Sequence, residues 1–229
     1  MTDKRKYYAF EEIAQIKKYN IQQNTKIQIT DFGAGSDGKV QKTRTLKSVA
    51  RQSAIPKKYG ELLFKVVEHY QPKNILELGT CIGIGTLYMA AAKTDIPTIT
   101  IEGDNNLAKI ASENFSKYPK PLQNIQQVIG NFDDVLLNVL SNLNEVGLAF
   151  IDGNHRKEPT LQYFHQILEK CTSASILIFD DIYWSEEMGE AWEEIKNHPK
   201  VKLTIDLYRM GFVFFVEEKK AVEHFQLYF

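Results

Sequence analysis

From residue 56 onward, apolar positions alternate between two spacings, one suited to a helix face and one to a buried strand. Behind Pro56, a residue suited to the first turn of a helix, Tyr59, Leu62, Leu63, Val66, Val67 and Tyr70 recur at helical spacing. They predict an amphipathic helix that stops before Pro72. Short runs rich in β-branched residues follow at 75–79, 98–102, 125–129, 147–152 and 175–180, and between them lie helical stretches near 85–93, 105–117, 132–142 and 159–170. Strand and helix in alternation predict an α/β class with a parallel sheet. Near the end the rhythm changes. Residues 201–208 and 212–217 are separated only by the turn at Arg209 to Gly211, so they must pair antiparallel, because a parallel crossover needs a dozen or more residues.

The first 54 residues do not share this rhythm. A weakly amphipathic helix is predicted over 9–20 and a loop over 30–38, TDFGAGSDG. The organisation expected is therefore a cover segment over 1–54 and one domain over 55–229. Charge follows the same division. Net charge is −1, but residues 1–54 carry 11 Lys/Arg against 5 Asp/Glu, leaving the remainder clearly acidic. The basic segment reads either as solvated surface or as a lid that admits an anionic substrate. The last stretch, AVEHFQLYF, is too aromatic for a solvated tail and is expected to dock on the domain or on a partner subunit, which leaves a homo-oligomer open.

With 43% hydrophobic residues the chain can bury a full core without staples, and its two cysteines, Cys81 and Cys171, suggest no disulfide framework. No apolar run approaches 18 residues and the start lacks the apolar core of a signal peptide, so no membrane partner is expected and the cytoplasm is the default location.

The densest chemistry lies in Asn74 to Ala92, NILELGTCIGIGTLYMAAA. Glycines at 79, 83 and 85 let the backbone approach a ligand, and the helix that follows aims its free N–H groups at the same place. A dinucleotide fingerprint wants G-x-G-x-x-G, whereas this loop reads Glu77-x-Gly79-x-x-x-Gly83-x-Gly85. A second acid, Glu102, ends the strand TITIE 25 positions after Glu77. This pair of signals resembles motif I and the following acidic strand end of the class I S-adenosylmethionine-dependent methyltransferases. The resemblance spans roughly residues 56 to 217. It implies a doubly wound, mostly parallel seven-stranded sheet of order 3-2-1-4-5-7-6, with the last strand antiparallel. It also implies S-adenosylmethionine as cofactor, bound by Glu77, Gly79, Thr80, Gly83, Gly85, Glu102 and Asp152, with Asn131 and Phe132 at the adenine.

The remaining acids sit at the carboxyl ends of strands, where an open α/β sheet keeps its ligands. LAFIDGNH ends on Asp152 with His155 three residues on, and ILIFDDIYW ends on Asp180 and Asp181. Three carboxylates from adjacent strands repel unless something positive lies between them, and hard oxygen donors suit Mg2+, Mn2+ or Ca2+. The constellation resembles that of metal-dependent O-methyltransferases of the catechol and macrolide-sugar type. Carried over by position, this implies Asp152, Asp180 and Asp181 as metal ligands and His155, with Asp152, as the catalytic pair. The catechol enzyme differs by an Asn where Asp181 stands and a Lys where His155 stands, which puts a catechol-like acceptor in doubt. Trp184 and Met188 are candidates for the substrate wall, although Met188 and Trp192 at i, i+4 also fit a helix core face. The function expected is O-methylation of a small-molecule or sugar hydroxyl. Two other readings stand beside it: an RNA methyltransferase, resting on Lys39, Lys42, Arg44, Lys47 and Arg51, and a methyltransferase-fold binding module without catalysis.

Overall fold

A computed structural model of the chain describes residues 7–31, 40–216 and 221–229. Its elements are α1 (Tyr8–Gln22), β1 (Lys26–Asp31), β2 (Val40–Thr45), α2 (Leu46–Gln52), α3 (Lys57–Tyr70), β3 (Ile75–Leu78), α4 (Ile84–Ala92), β4 (Thr98–Glu102) and α5 (Asn105–Lys117). They continue with β5 (Ile125–Ile129), α6 (Phe132–Ser141), β6 (Val146–Ile151), α7 (Lys157–Leu168), β7 (Cys171–Phe179), α8 (Glu186–Lys196), β8 (Leu203–Asp206), β9 (Gly211–Phe214) and β10 (Glu223–Gln226).

The strands from β3 onward form one sheet in the order β10-β8-β9-β7-β6-β3-β4-β5. β9 runs antiparallel to both of its neighbours, and every other pairing in this sheet is parallel. The expected order of seven strands is therefore present, and an eighth is added at the edge. That strand comes from the aromatic tail, whose residues 223–226 pair parallel with β8. At four residues it is too short to announce itself by alternation.

β3 and β6 are buried along their whole length, as central parallel strands covered on both faces must be. The pleat divides their side chains between two cores. Leu148 and Phe150 pack with α1, α3 and α4, whereas Ala149 and Ile151 pack with α6, α7 and α8. The helices thus form one layer on each side of the sheet. Burial of each Phe, Ile or Leu in these layers contributes roughly 1.5–3 kcal/mol. Pro56 precedes α3 in the cap position rather than inside its first turn.

The N-terminal residues add what periodicity did not suggest. β1 and β2 pair as an antiparallel two-stranded sheet, with Ile29 opposite Lys42 and Ile27 opposite Arg44. Opposed residues share a face, so these four side chains lie on one side of the ribbon. The ribbon is tied to the main sheet where Thr30 N–H donates to Asp104 Oδ2 at 2.7 Å. Lys17 of α1 donates to the carbonyls of Ala54 and Ile55 at 2.9 and 2.6 Å, and Asn20 bonds Asn114, which in turn bonds the Ile82 carbonyl. The loop expected over 30–38 falls largely on residues 32–39, outside the described residues. Among the described residues, no helix is long and apolar enough to cross a membrane.

Candidate active site

The turn after β3 is dictated by a close approach. Gly79 has φ +103°, and a Cβ there would lie 2.0 Å from the carbonyl oxygen of Asp152, so the tips of β3 and β6 can touch only through glycine. Gly83, at φ +78°, then caps α4. Beneath the turn, Glu77 is buried and accepts from the hydroxyls of Thr86 and, at 2.6 Å, Thr100. Thr80 and Thr100 share a further bond at 2.5 Å. Burial pushes the Glu77 carboxyl up to about 7, against the pull of both hydroxyls. Gly85 leaves the space that Glu77 Oε1 occupies, since a Cβ there would be 2.9 Å away. Glu77, Thr80 and Gly85 therefore border only a void of about 10 Å³ below the loop, large enough for at most one water.

The main cavity, of about 600 Å³, opens above them at the carboxyl ends of β3, β4, β6 and β7. Gly79, Cys81 and Glu102 form one wall. Glu102 accepts from the backbone N–H of Cys81 at 2.7 Å and of Asp104 at 2.9 Å, and burial pushes its carboxyl up to about 7. Asn131 and Phe132, at the start of α6, also line the cavity. The roof is the N-terminal ribbon: Ile29, Lys42 and Arg44 face in, together with Gln52 and Ser53 at the end of α2. Arg44 is held by Ser48, Gln52 and Ser53.

The opposite wall holds Asp152, His155, Asp181, Trp184 and Arg209. His155 Nε2 lies 3.7 Å from Asp152 Oδ1. The loop carrying His155 turns at Asn154, φ 61°, and is held by a polar chain: Arg156 donates to Asn154, Asn154 to the Tyr163 hydroxyl, and Tyr163 to Asp133. Trp184 is 65% exposed at the rim, its ring 6.2 Å from that of His155. Burial, and next the charges of Asp180 and Asp181, raise the Asp152 carboxyl well above its usual range.

The paired aspartates diverge. Asp181 takes a left-handed turn, φ 52°, so that it faces the cavity while the side chain of Asp180 is fully buried. Asp180 is taken by Arg209, whose Nε and Nη2 lie 2.9 and 2.6 Å from its two oxygens. Nη2 also reaches Asp181 Oδ1 at 3.4 Å. The positive charge anticipated between the carboxylates is thus supplied, at least in part, by a side chain that sequence reasoning read only as a turn. Burial works against the Arg209 charge, but the ion pair with Asp180 outweighs it and holds the guanidinium protonated.

Two expectations change in consequence. Among the described residues, the donor atoms that converge within 4.8 Å are those of Asp152, His155 and Asp181, not those of the three aspartates. Two carboxylates and one imidazole are donors that a divalent ion such as Mn2+ accepts, while Asp180, expected as a third carboxylate ligand, is held by Arg209. Met188 does not line the cavity: it is buried on α8, with Thr160 Oγ1 3.5 Å from its sulfur, as the core-face alternative has it. The Asn154–Tyr163–Asp133 chain also escaped sequence reading, because no local pattern links residues on α6 and α7.

Residues 76–182 match the model of a family described as a methyltransferase domain. Over 145 residues the chain is 28% identical to a catechol O-methyltransferase from Niastella koreensis, covering 62% of this chain and 63% of that protein. The chain thus spans less than two thirds of that curated relative. Solved structures share the fold along nearly the whole chain. An O-methyltransferase from Bacillus cereus in complex with SAH has a TM-score of 0.64 at 18% identity, covering 92% of each chain. The O-methyltransferase TomG from Streptomyces achromogenes, in complex with SAM, has 0.64 at 17%, covering 92% of this chain and 91% of its own.

Proposed function

We propose that this chain, whose residues 76–182 match a methyltransferase-domain model, transfers the methyl group of S-adenosylmethionine to a hydroxyl oxygen of a small molecule. One observation carries the reading. A single cavity joins Glu102, Asn131 and Phe132 on one side to the Asp152–His155 pair on the other. Glu102 is suited to accept the ribose hydroxyls, and Asn131 and Phe132 to contact the adenine edge and face. The described residues before 55 are read as the cover of this cavity, and Trp184 as part of the acceptor wall.

In the reaction the acceptor oxygen attacks the methyl carbon, the carbon–sulfur bond breaks, and its electrons neutralise the sulfonium to leave S-adenosylhomocysteine. The residues chiefly hold oxygen, carbon and sulfur in line, which supplies effective molarity. The hydroxyl must also lose its proton. His155, placed beside Asp152 at the cavity wall, takes it, and general-base help of this kind gives on the order of 100-fold to 10,000-fold. Residues that would hold a Mg2+ or Mn2+ ion, or Ca2+, are Asp152, His155 and Asp181. When bound, such an ion lowers the pKa of the acceptor hydroxyl. A ring nitrogen that holds an ion cannot also take a proton, so the two His155 roles exclude each other at that nitrogen.

Calorimetry with S-adenosylhomocysteine and with NAD tests the cofactor, and radiolabelled methyl transfer to catechol and to sugar hydroxyls, with Mn2+ or with EDTA, tests the reaction. Binding of S-adenosylhomocysteine and not of NAD is expected. Binding of NAD alone would overturn the reading.

A further inference from the structure

Asp180 and Asp181 are neighbours in the chain with different fates, and Arg209 is the cause. The guanidinium meets both oxygens of Asp180, at 2.9 and 2.6 Å, and reaches Asp181 only at 3.4 Å. Its placement is built in. The register of β7 on β9 sets Phe179 opposite Gly211, which brings the turn before β9 beside the tip of β7. That turn is fixed at both faces of Arg209: its N–H donates to the Leu207 carbonyl at 2.8 Å and its carbonyl accepts from Ile182 N–H at 3.1 Å. Tyr59 packs its ring 5.6 Å from the guanidinium carbon. Such a two-oxygen grip depends on the planar fork of arginine, which lysine lacks.

We infer that Arg209 is a positioning residue that withholds Asp180 from divalent ions and acts as a fixed cation beside the cavity's carboxylates. An ion then binds only through Asp152, His155 and Asp181, and weakly, because one carboxylate is spoken for and a positive group stands 3.4 Å from another. Removing the guanidinium unmasks Asp180 as a further donor and tightens the site. This inference rests on reading the cavity as the reaction site.

The test is Mn2+ titration of the full chain saturated with S-adenosylhomocysteine, followed by loss of the free-ion paramagnetic resonance signal. Arg209→Gln is expected to bind Mn2+ at least about 10-fold more tightly than the unmodified protein, since affinity follows the number of charged donors. Asp180→Asn alone leaves affinity within about 3-fold, Asp181→Asn removes binding, and adding Asp180→Asn to Arg209→Gln cancels the gain. Arg209→Lys keeps the charge without the two-oxygen grip and gives a smaller gain, and it serves as the second variant if the glutamine form does not fold. A gain that survives in the double variant, no gain in Arg209→Gln or in Arg209→Lys, or a loss in Asp180→Asn as large as in Asp181→Asn overturns the inference. S-adenosylhomocysteine affinity, measured in parallel, separates this failure from failure of the proposed function: if the unmodified protein does not bind the thioether the cofactor reading falls, while the Mn2+ titrations, run without it, still decide the role of Arg209.

Discussion

The two halves of the row of strand tips solve the same problem in opposite ways. At β3 and β4, Glu77 and Glu102 are buried and served only by neutral donors: threonine hydroxyls for one, the backbone N–H groups of Cys81 and Asp104 for the other. At β6 and β7, Asp180 is buried against a guanidinium. Burial raises all three carboxyls; neutral donors leave Glu77 and Glu102 titrating at about 7, whereas at Asp180 a guanidinium pulls against the burial. The first half therefore carries acids, held by neutral groups, that gain their negative charge only near neutrality. The second half commits Asp180 to an ion pair inside the protein.

The difference can be broken at its strongest point first. Asp180→Ala leaves Arg209 without its buried partner, and unfolding in denaturant is expected to show a loss of about 3 kcal/mol, the usual scale for stripping one member of such a pair. A loss as small as that of a surface substitution would mean that the guanidinium simply turns to solvent.

Next in size is the chemistry of the second half. His155→Ala should lower kcat by at least about 100-fold while S-adenosylhomocysteine affinity stays nearly unchanged, because the group acts on the acceptor proton and not on the donor. Steady-state rates alongside calorimetry decide it. Near-normal kcat would leave proximity, with or without an ion, to carry the reaction.

The first half is sharpened by pH. Glu77 titrates near 7 when folded against an ordinary value of 4.5, so the folded state holds the extra proton between those values. The stability this contributes is fully present below about 4.5 and is lost as pH rises through about 7. Glu102 has the same sign and window. Melting temperatures are expected to fall across this range, and Glu77→Gln, which still accepts from Thr100, to flatten the fall. Affinity for S-adenosylmethionine should move the other way, strengthening as the acids ionise. An unchanged slope of melting temperature against pH in Glu77→Gln would remove Glu77 from the account.

Smallest is the rim. Trp184→Ala, at a side chain 65% exposed, should change stability by less than about 0.5 kcal/mol and raise the acceptor KM only a few-fold. A large drop in kcat instead would place the indole in the reaction geometry.

What could be read in the sequence was what local spacing encodes. Apolar runs located β3 to β7, and the short turn at 209–211 required an antiparallel pair, from which the insertion of β9 between β7 and β8 followed by resemblance. The ribbon of β1 and β2 was missed although KIQIT alternates, because Gly33 to Gly38 drew the reading toward a loop. In the site, residues bound to their own strand ends, such as Glu102 and Asp152, were recognisable. Arg209 was not, since its partner lies 29 residues earlier and meets it only through the register of β7 on β9. Met188 stood between a core face and a substrate wall because spacing alone does not say which; it is buried on α8 and does not line the cavity.

That register also has a consequence in time. During synthesis the chain delivers Asp152, Asp180 and Asp181 well before Arg209, and β9 can take its place only after β8 has been made and the turn between them has closed. Until then the carboxylates face each other without their internal counter-ion, and the long-range pairing of β7 with β9 is among the later contacts to form. Closure of the β8–β9 hairpin is therefore the event that docks β9 on β7 and gives Asp180 its counter-ion together, so a nascent chain halted before residue 209 would carry these aspartates without that guanidinium.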